Sequence, residues 1–450
     1  MIKKHSQKIP TQPSVADVTA LSHDGRGIAH INGKTTFLLG GLPGEQVSFH
    51  YQKIQSQYDE GQVADVLTAS PDRVSPRCKH FGICGGCSLQ HLHPEKQIQH
   101  KSNALLELLQ QQTSAVPEEL LAPIVGDYWG YRQKARLSIK FVAKKDKVLV
   151  GFREKNNRFI TDINSCDVLD PSIGQQIAEF SQLFYKLNAR TQIPQMEIAV
   201  GDKNTAIILR HLVDFTSSDL DLLRQFATDH HYQLYLQPAG PKSIYVDWPQ
   251  NANAVLEYSL PLYGITFTFK PNQFTQINQL MNQKMVAQAI QLLETHSNDQ
   301  ILDLFCGIGN FSLPIAKYCA HVVGVEGNED AVQQAIINAK LNSIINARFY
   351  CADLSIPCSN QAWLTQSFNK IILDPPRTGA KEFIPQIVTW NPTHILYISC
   401  NSATLARDTK LLLSHGYLLK KIGVIDMFPH TQHVEAMALF QKKEKRKKKL

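Results

Sequence analysis

The chain has 450 residues, 43% of them hydrophobic and 19% charged, with nine cysteines and a formal net charge of +7. That length predicts two or three domains, each large enough for its own core. No apolar run reaches the roughly 18 residues of a membrane helix, and Met1-Ile2-Lys3-Lys4 opens no apolar leader. A soluble cytoplasmic protein is therefore expected, in which clustered thiols serve metal binding or catalysis instead of disulfides.

Residues 12–72 read as short strands punctuated by Asp24-Gly25-Arg26-Gly27, Asn32-Gly33, Gly40-Gly41 and Pro43-Gly44, a pattern that predicts a small β-barrel. A Gly-rich loop follows with Cys78, Cys84 and Cys87. Helical spacing of Ile98, Leu105, Leu106, Leu108 and Leu109 predicts a helix over 94–112. The rest of 73–270 alternates strand-like runs (135–142, 196–200, 206–212) with helical stretches near 171–188 and 217–231, giving an α+β central domain. From 271 to 441 helices and strands alternate: strands at 301–305, 321–325, 348–351, 370–373, 394–398 and 436–440, helices at 278–293, 311–318 and 330–341. That order predicts a doubly wound α/β domain with a parallel sheet. The tail, 442–450, holds seven Lys or Arg against one Glu, so most of the net charge lies there and the folded body is nearly neutral. A run this dense is expected to be disordered, either solvated or adding salt-sensitive attraction to phosphates.

Asp303-Leu304-Phe305-Cys306-Gly307-Ile308-Gly309-Asn310-Phe311 joins the first strand of the α/β domain to its helix. Glycines there let backbone approach a ligand, and Glu326 at the end of the next strand suits ribose hydroxyls, as in nucleoside-cofactor sites. Asp303, Glu326, Asp353 and Asp374 all fall at or near strand ends. Such a negative pocket fits a sulfonium cofactor better than a dinucleotide, whose pyrophosphate needs cations.

Cys400 stands where the strand 394–398 stops, on the edge of the sheet where ligands bind. Uracil C5 is too weak a nucleophile to accept a methyl group unaided. Thiolate addition at C6 makes C5 nucleophilic, and a base must afterwards remove the C5 proton so that the thiol can leave. Cys400 is the thiol this chemistry needs, and His433-Val434-Glu435 offers two candidate bases. Cytosine-C5 enzymes use the same logic but are expected to carry their thiol after Pro, where Asp374-Pro375-Pro376-Arg377 has Arg. Adenine-N6 enzymes want an aromatic residue at that position.

Asp374-Pro375-Pro376-Arg377, Ser399-Cys400-Asn401, His433-Val434-Glu435 and the 303–311 loop together resemble the RNA uracil-C5 methyltransferases. The resemblance implies a Rossmann-like class I methyltransferase domain, Cys400 as nucleophile and Glu435 as the base. It also implies S-adenosyl-L-methionine contacts from Gln276, Phe305, Asn310, Glu326, Asp353 and Asp374. Residues 15–70 are similar to the RNA-binding TRAM domain, an OB-like barrel, through Asp24-Gly25-Arg26-Gly27, Leu42-Pro43-Gly44-Glu45 and Ser70-Pro71-Asp72-Arg73.

Cys78, Cys84, Cys87 and the distant Cys166 form a possible four-thiolate set, compatible with zinc or iron–sulfur on residue type alone. The family resemblance turns that choice to a [4Fe-4S] cluster with a structural or RNA-binding role. Cys306 is assigned to the loop, and Cys319, Cys351 and Cys358 to packing. Barrel and thiols together point to the branch that modifies one uridine of 23S ribosomal RNA, with a monomer as the implied state and no membrane partner. The alternatives are a tRNA or other rRNA uracil-C5 methyltransferase, or a catalytically silent RNA-binding assembly factor.

Overall fold

The computed structural model describes residues 9–155, 157–250, 255–356 and 361–443. Cys358 and the tail beyond 443 lie outside them. The chain divides into two compact units. The first is built from residues up to 106 with short returns at Glu154 and Phe428–His433, the second from the remainder.

The first unit holds a six-stranded sheet in the order Ser14–Asp17, Gln46–Ile54, Tyr58–Thr68, Lys34–Leu39, Gly27–Ile31, Ala20–Leu21. Its two edge strands are consecutive in sequence. Val18 N donates to Glu45 O and Thr19 N to Ile28 O, so the stretch 14–21 passes from one edge of the sheet to the other. The sheet therefore curls without a full ladder closing it into the expected barrel. Asn32 and Gly33 both take positive φ (50° and 78°), the geometry of a two-residue hairpin turn. Inward-facing Ala16, Val18, Ala29, Leu38, Val47 and Phe49 form a small core.

The two distant TRAM-like signatures meet here. Buried Glu45 accepts from Arg73 Nη2 at 2.8 Å and from the Leu42 amide at 2.8 Å. Burial alone would raise the Glu45 pKa, but the Arg73 guanidinium and the backbone donors hold it below the usual carboxylate value. Those signature residues thus clamp the end of the sheet to the segment that follows it.

In the second unit the central domain is a six-stranded sheet running Tyr245–Trp248, Tyr232–Gln237, Thr205–Arg210, Gln195–Val200, Lys134–Val142, Lys147–Gly151. The expected 171–188 helix is two pieces, Pro171–Gly174 and Ile177–Lys186. Gly174 packs so close to the Cys166 carbonyl that an added Cβ would sit 2.3 Å from it, which fixes the chain path at this break.

A hairpin, Leu256–Leu260 with Ile265–Phe269, leads into the main sheet. Its strands are β1 (Gln300–Leu304), β2 (His321–Glu326), β3 (Ala347–Cys351), β4 (Lys370–Leu373), β5 (His394–Ser399), β6 (Tyr417–Ile425) and β7 (Glu435–Lys442). They lie in the order β3-β2-β1-β4-β5-β7-β6, with a short strand Glu119–Leu120 beside β6. β1 to β5 run parallel, and β7 enters antiparallel between β5 and β6. The strand order reverses between β1 and β4, the kind of crevice in which open α/β sheets bind ligands.

Helices α1 (Gln279–Leu293), α2 (Ser312–Ala316), α3 (Glu329–Leu341) and α4 (Ser402–Ser414) pack around this sheet. Asparagine side chains cap three of them: Asn278 accepts from Met281 N, Asn328 from Ala331 N and Asn401 from Ala403 N. The cap of α4 is the residue after Cys400, so strand end, thiol and helix start follow one another without slack. α2 is shorter than the expected 311–318 helix, and among the described residues no helix is long and apolar enough to cross a membrane.

Candidate active site

β1 ends one residue earlier than the pattern predicts, because Phe305 turns out of the strand at φ +62°. A left-handed aromatic costs about 1–3 kcal/mol and persists only where its surroundings fix it. Gly307 (φ +55°) and Gly309 (φ +92°) continue the turn, and a Cβ on Gly307 would meet nothing within 4 Å. The loop is tied down from below: Cys306 N donates to Val325 O at 3.1 Å and Gly307 N to Glu326 Oε2 at 3.1 Å. The other Glu326 oxygen takes the Asn328 amide at 3.0 Å. Glu326 thus braces this edge, and each oxygen keeps one lone pair for a ligand hydroxyl.

Asp374 directly follows β4, and its amide donates to Leu304 O at 3.3 Å. Gln276 reaches it with an Nε2–Oδ2 distance of 3.5 Å. Asp303 lies beneath, with Oδ2 accepting from Ser312 Oγ at 2.5 Å and Oδ1 buried without a partner. Burial pushes the carboxyls of Asp303 and Asp374 each up to about 7. Asp353 stands apart from this buried group. It is exposed, and its Oδ1 accepts from Ser355 N and Oγ.

Cys400 is the first residue past β5 and Glu435 the first residue of β7. The β5–β7 ladder pairs Ser399 with Ala436, so the next step of the register sets Cys400 opposite Glu435. Facing residues of an antiparallel pair have Cα atoms about 4.5–5.5 Å apart and side chains on the same face. Burial, then Glu435 and Asp374, push the Cys400 thiol up to about 11, while Arg377 opposes them. Glu435 is only 4% exposed. Burial first, and the Asp374 charge second, raise its pKa well above the carboxylate range, again against Arg377.

The Arg377 backbone is anchored beside the thiol. Asn401 Nδ2 donates to its carbonyl at 2.9 Å and Thr404 Oγ1 at 3.3 Å. Buried Asp408 completes the support by accepting from Ala380 N and Tyr397 Oη, both at 2.7 Å. Asp303 and Arg377 thereby join the site; sequence reasoning counted Asp303 among the acidic residues of the pocket and gave Arg377 no role there. For Asp303 the signal was its place in the loop motif, and for Arg377 its place after Pro375-Pro376. His433, the other candidate base, belongs to the first unit, where its ring packs edge-on to Phe428 at 5.5 Å.

Residues 252–443 match the tRNA (Uracil-5-)-methyltransferase family model, and residues 15–64 match the TRAM domain. A 23S rRNA (uracil(1939)-C(5))-methyltransferase RlmD from Legionella pneumophila (strain Paris) is 47% identical over 98% of this chain and 100% of its own length. The Hahella chejuensis protein of the same name is 45% identical over 98% and 100%. The chain belongs to the RlmD family of 23S rRNA uracil-C5 methyltransferases. A solved tRNA (uracil-54, C5)-methyltransferase of Pyrococcus abyssi, in complex with S-adenosyl-L-homocysteine, shares the fold at TM-score 0.72. It is 23% identical, with 95% of this chain and 100% of that one covered.

The expected metal centre is corrected. Among the described residues no group of three or more His, Cys, Asp or Glu side chains is placed to hold a metal ion, and the RlmD relatives' names mention no iron–sulfur cluster. A cluster would require its thiolates to converge on one point. The glycine-rich loop is closed by its own hydrogen bonds instead: Phe81 N to Cys78 O, Cys84 N to His80 O, and Gly86 N to Cys84 Sγ. Gly82 supplies a left-handed turn there at φ +91°. Of the remaining thiols, Cys306 and Cys319 are buried and Cys351 half-buried.

Proposed function

We propose that this protein methylates C5 of one uridine in 23S ribosomal RNA, using S-adenosyl-L-methionine, with Cys400 as nucleophile and Glu435 as the base. One observation carries the reading: the strand register that sets Cys400 opposite Glu435 on the ligand edge of the sheet, beside Asp374. Residues 12–72 serve as the RNA-binding module, 73–270 as the central domain, 271–441 as the methyltransferase domain and 442–450 as a basic tail. The protein acts in the cytoplasm as a monomer.

The pocket suits the cofactor. Gly307 leaves open space at the loop, Asp303 carries a buried carboxylate oxygen without a partner, and Asp374 lies close by. Gln276, Phe305, Asn310, Glu326, Asp353 and Asp374 would hold S-adenosyl-L-methionine, which when bound supplies an electrophilic methyl group and a positive charge.

The chain's own groups do the rest. Cys400 Sγ adds to C6 of the flipped-out uracil, and the C5–C6 π electrons pass to C5 and O4. Arg377 offsets the negative charge that Cys400 must carry to do so. Once C5 bears the methyl group, Glu435 takes the C5 proton. The C5–C6 double bond reforms and the C6–S bond breaks, returning the thiolate.

Labelled S-adenosyl-L-methionine incubated with separated 23S, 16S and transfer RNA tests the assignment. Label is expected on one 23S uridine; label confined to transfer RNA, or absent, overturns it.

The carboxyl pKa values make a second prediction. With pKa values of about 7, Asp303 and Asp374 hold protons at mildly acidic pH in the ligand-free site, whereas a neighbouring cation favours their ionised forms. Cofactor binding therefore expels protons, and affinity for S-adenosyl-L-methionine rises between about pH 6 and 8. S-adenosyl-L-homocysteine lacks the sulfonium charge and should show a shallower slope. Calorimetry in buffers of different ionisation enthalpy measures both, and equal slopes for the two ligands would contradict the electrostatic account.

A further inference from the structure

The side chain of Asn310, in the middle of the cofactor loop, is already engaged by the protein. Its Oδ1 accepts from Tyr258 Oη at 2.9 Å and from Asn282 Nδ2 at 2.9 Å, and its Nδ2 donates to Asn282 Oδ1 at 2.8 Å. Both lone pairs of the amide oxygen are thus taken, and one Nδ2 hydrogen is left to offer. The partners come from outside the loop: Tyr258 from the hairpin strand Leu256–Leu260, Asn282 from the first turn of α1.

Both partners are rigid. Asn282 is 3% exposed, and the Tyr258 ring is stacked on Phe267 with centroids 4.7 Å apart and planes 8° apart. A second brace comes from α3, where Asn338 Nδ2 donates to Ile308 O at 3.3 Å while its Oδ1 accepts from Thr268 N at 2.9 Å on the hairpin's other strand. The hairpin, α1 and α3 therefore converge on the stretch 308–310.

We infer that Tyr258 and Asn282 are positioning residues for the cofactor: they saturate the Asn310 oxygen, present Asn310 to the ligand solely as a hydrogen-bond donor, and hold the glycine loop in its binding shape. The inference rests on the methyltransferase reading. A donor at this point selects a hydrogen-bond-accepting group of the ligand, and the pre-set loop removes an ordering cost that binding would otherwise bear. Ground state and transition state gain alike, so the contribution falls on affinity and KM, with kcat little altered.

Tyr258→Phe keeps the stack on Phe267 and deletes one hydroxyl. It should weaken S-adenosyl-L-methionine binding roughly fivefold, the worth of one hydrogen bond, and raise KM by a similar factor. Asn282→Leu, of similar volume, should do the same or more. A double-mutant cycle supplies the decisive readout, because Tyr258 acts only through Asn310. In an Asn310→Ala background, Tyr258→Phe should cause no further loss.

Unchanged affinity in both single variants, a lowered melting temperature with unchanged affinity, or additive losses in the cycle would each overturn the proposal. Failure of the unaltered protein to bind S-adenosyl-L-methionine would instead remove the functional reading beneath it.

Discussion

Replacing Cys400 with Ala should lower methyl transfer by about three orders of magnitude or more, since thiolate addition at C6 is what makes C5 nucleophilic. Cys400 sits at the end of β5, partly open to the crevice, and β5 itself is buried between β4 and β7. The substitution removes one sulfur from a half-buried position at the strand end, so melting temperature and S-adenosyl-L-methionine affinity should stay close to those of the parent. Cys400→Ser should be nearly as inactive, because a hydroxyl ionises far less readily than a thiol. Burial, then Glu435 and Asp374, push the thiol up to about 11, so its ionisation depends on Arg377 and on the positive charge the cofactor brings. Methyl transfer to RNA and thermal melts, measured on the same preparations, check this. An active Cys400→Ala variant would remove covalent catalysis from the account.

Glu435→Gln should produce the opposite phenotype, a protein that forms its adduct and cannot leave it. Gln preserves the shape of the carboxyl but cannot take the C5 proton, so elimination should slow by at least about a hundredfold. A protein–RNA complex that survives denaturing electrophoresis should then accumulate in the presence of S-adenosyl-L-methionine. Stability should not suffer. Burial first, and Asp374 second, raise the Glu435 pKa and so disfavour its charged form, which is why a neutral amide of the same shape should replace it at little cost. A carboxyl whose pKa is higher folded than unfolded stabilises the fold at low pH and loses that contribution as pH rises through the folded value. The Gln variant should therefore lose some of the parent's decline in stability toward alkaline pH. Normal turnover with no trapped complex would assign the base elsewhere.

Much of the site was legible because its chemistry-bearing residues cluster at strand ends within short motifs. Asp374, Cys400 and the glycine loop each follow an apolar run directly, and a parallel sheet brings those run ends to one edge. The facing of Cys400 and Glu435 was less accessible. It depends on β7 inserting antiparallel between β5 and β6, and β6 carried no signal that set it apart from an ordinary buried segment.

Side-chain contacts across long separations were invisible for the same reason. Nothing local to Asn310 announces Tyr258, and nothing near Glu45 announces Arg73. The cysteine loop misled in the other direction. Cys84-Gly85-Gly86-Cys87 reads as a ligand loop by spacing, yet spacing does not report whether the thiols converge, and here backbone hydrogen bonds account for the turn.

The most direct test of the Cys400–Glu435 mechanism uses a 23S rRNA fragment carrying 5-fluorouridine at the target position. Thiol addition and methylation can proceed on that base, but C5 then bears fluorine and methyl and has no proton for Glu435 to remove. The adduct should persist, and mass spectrometry of the digested complex should find the methylated fluorouridine joined through C6 to the peptide containing Cys400. Attachment at another residue, or methylation with no stable adduct, would contradict the mechanism.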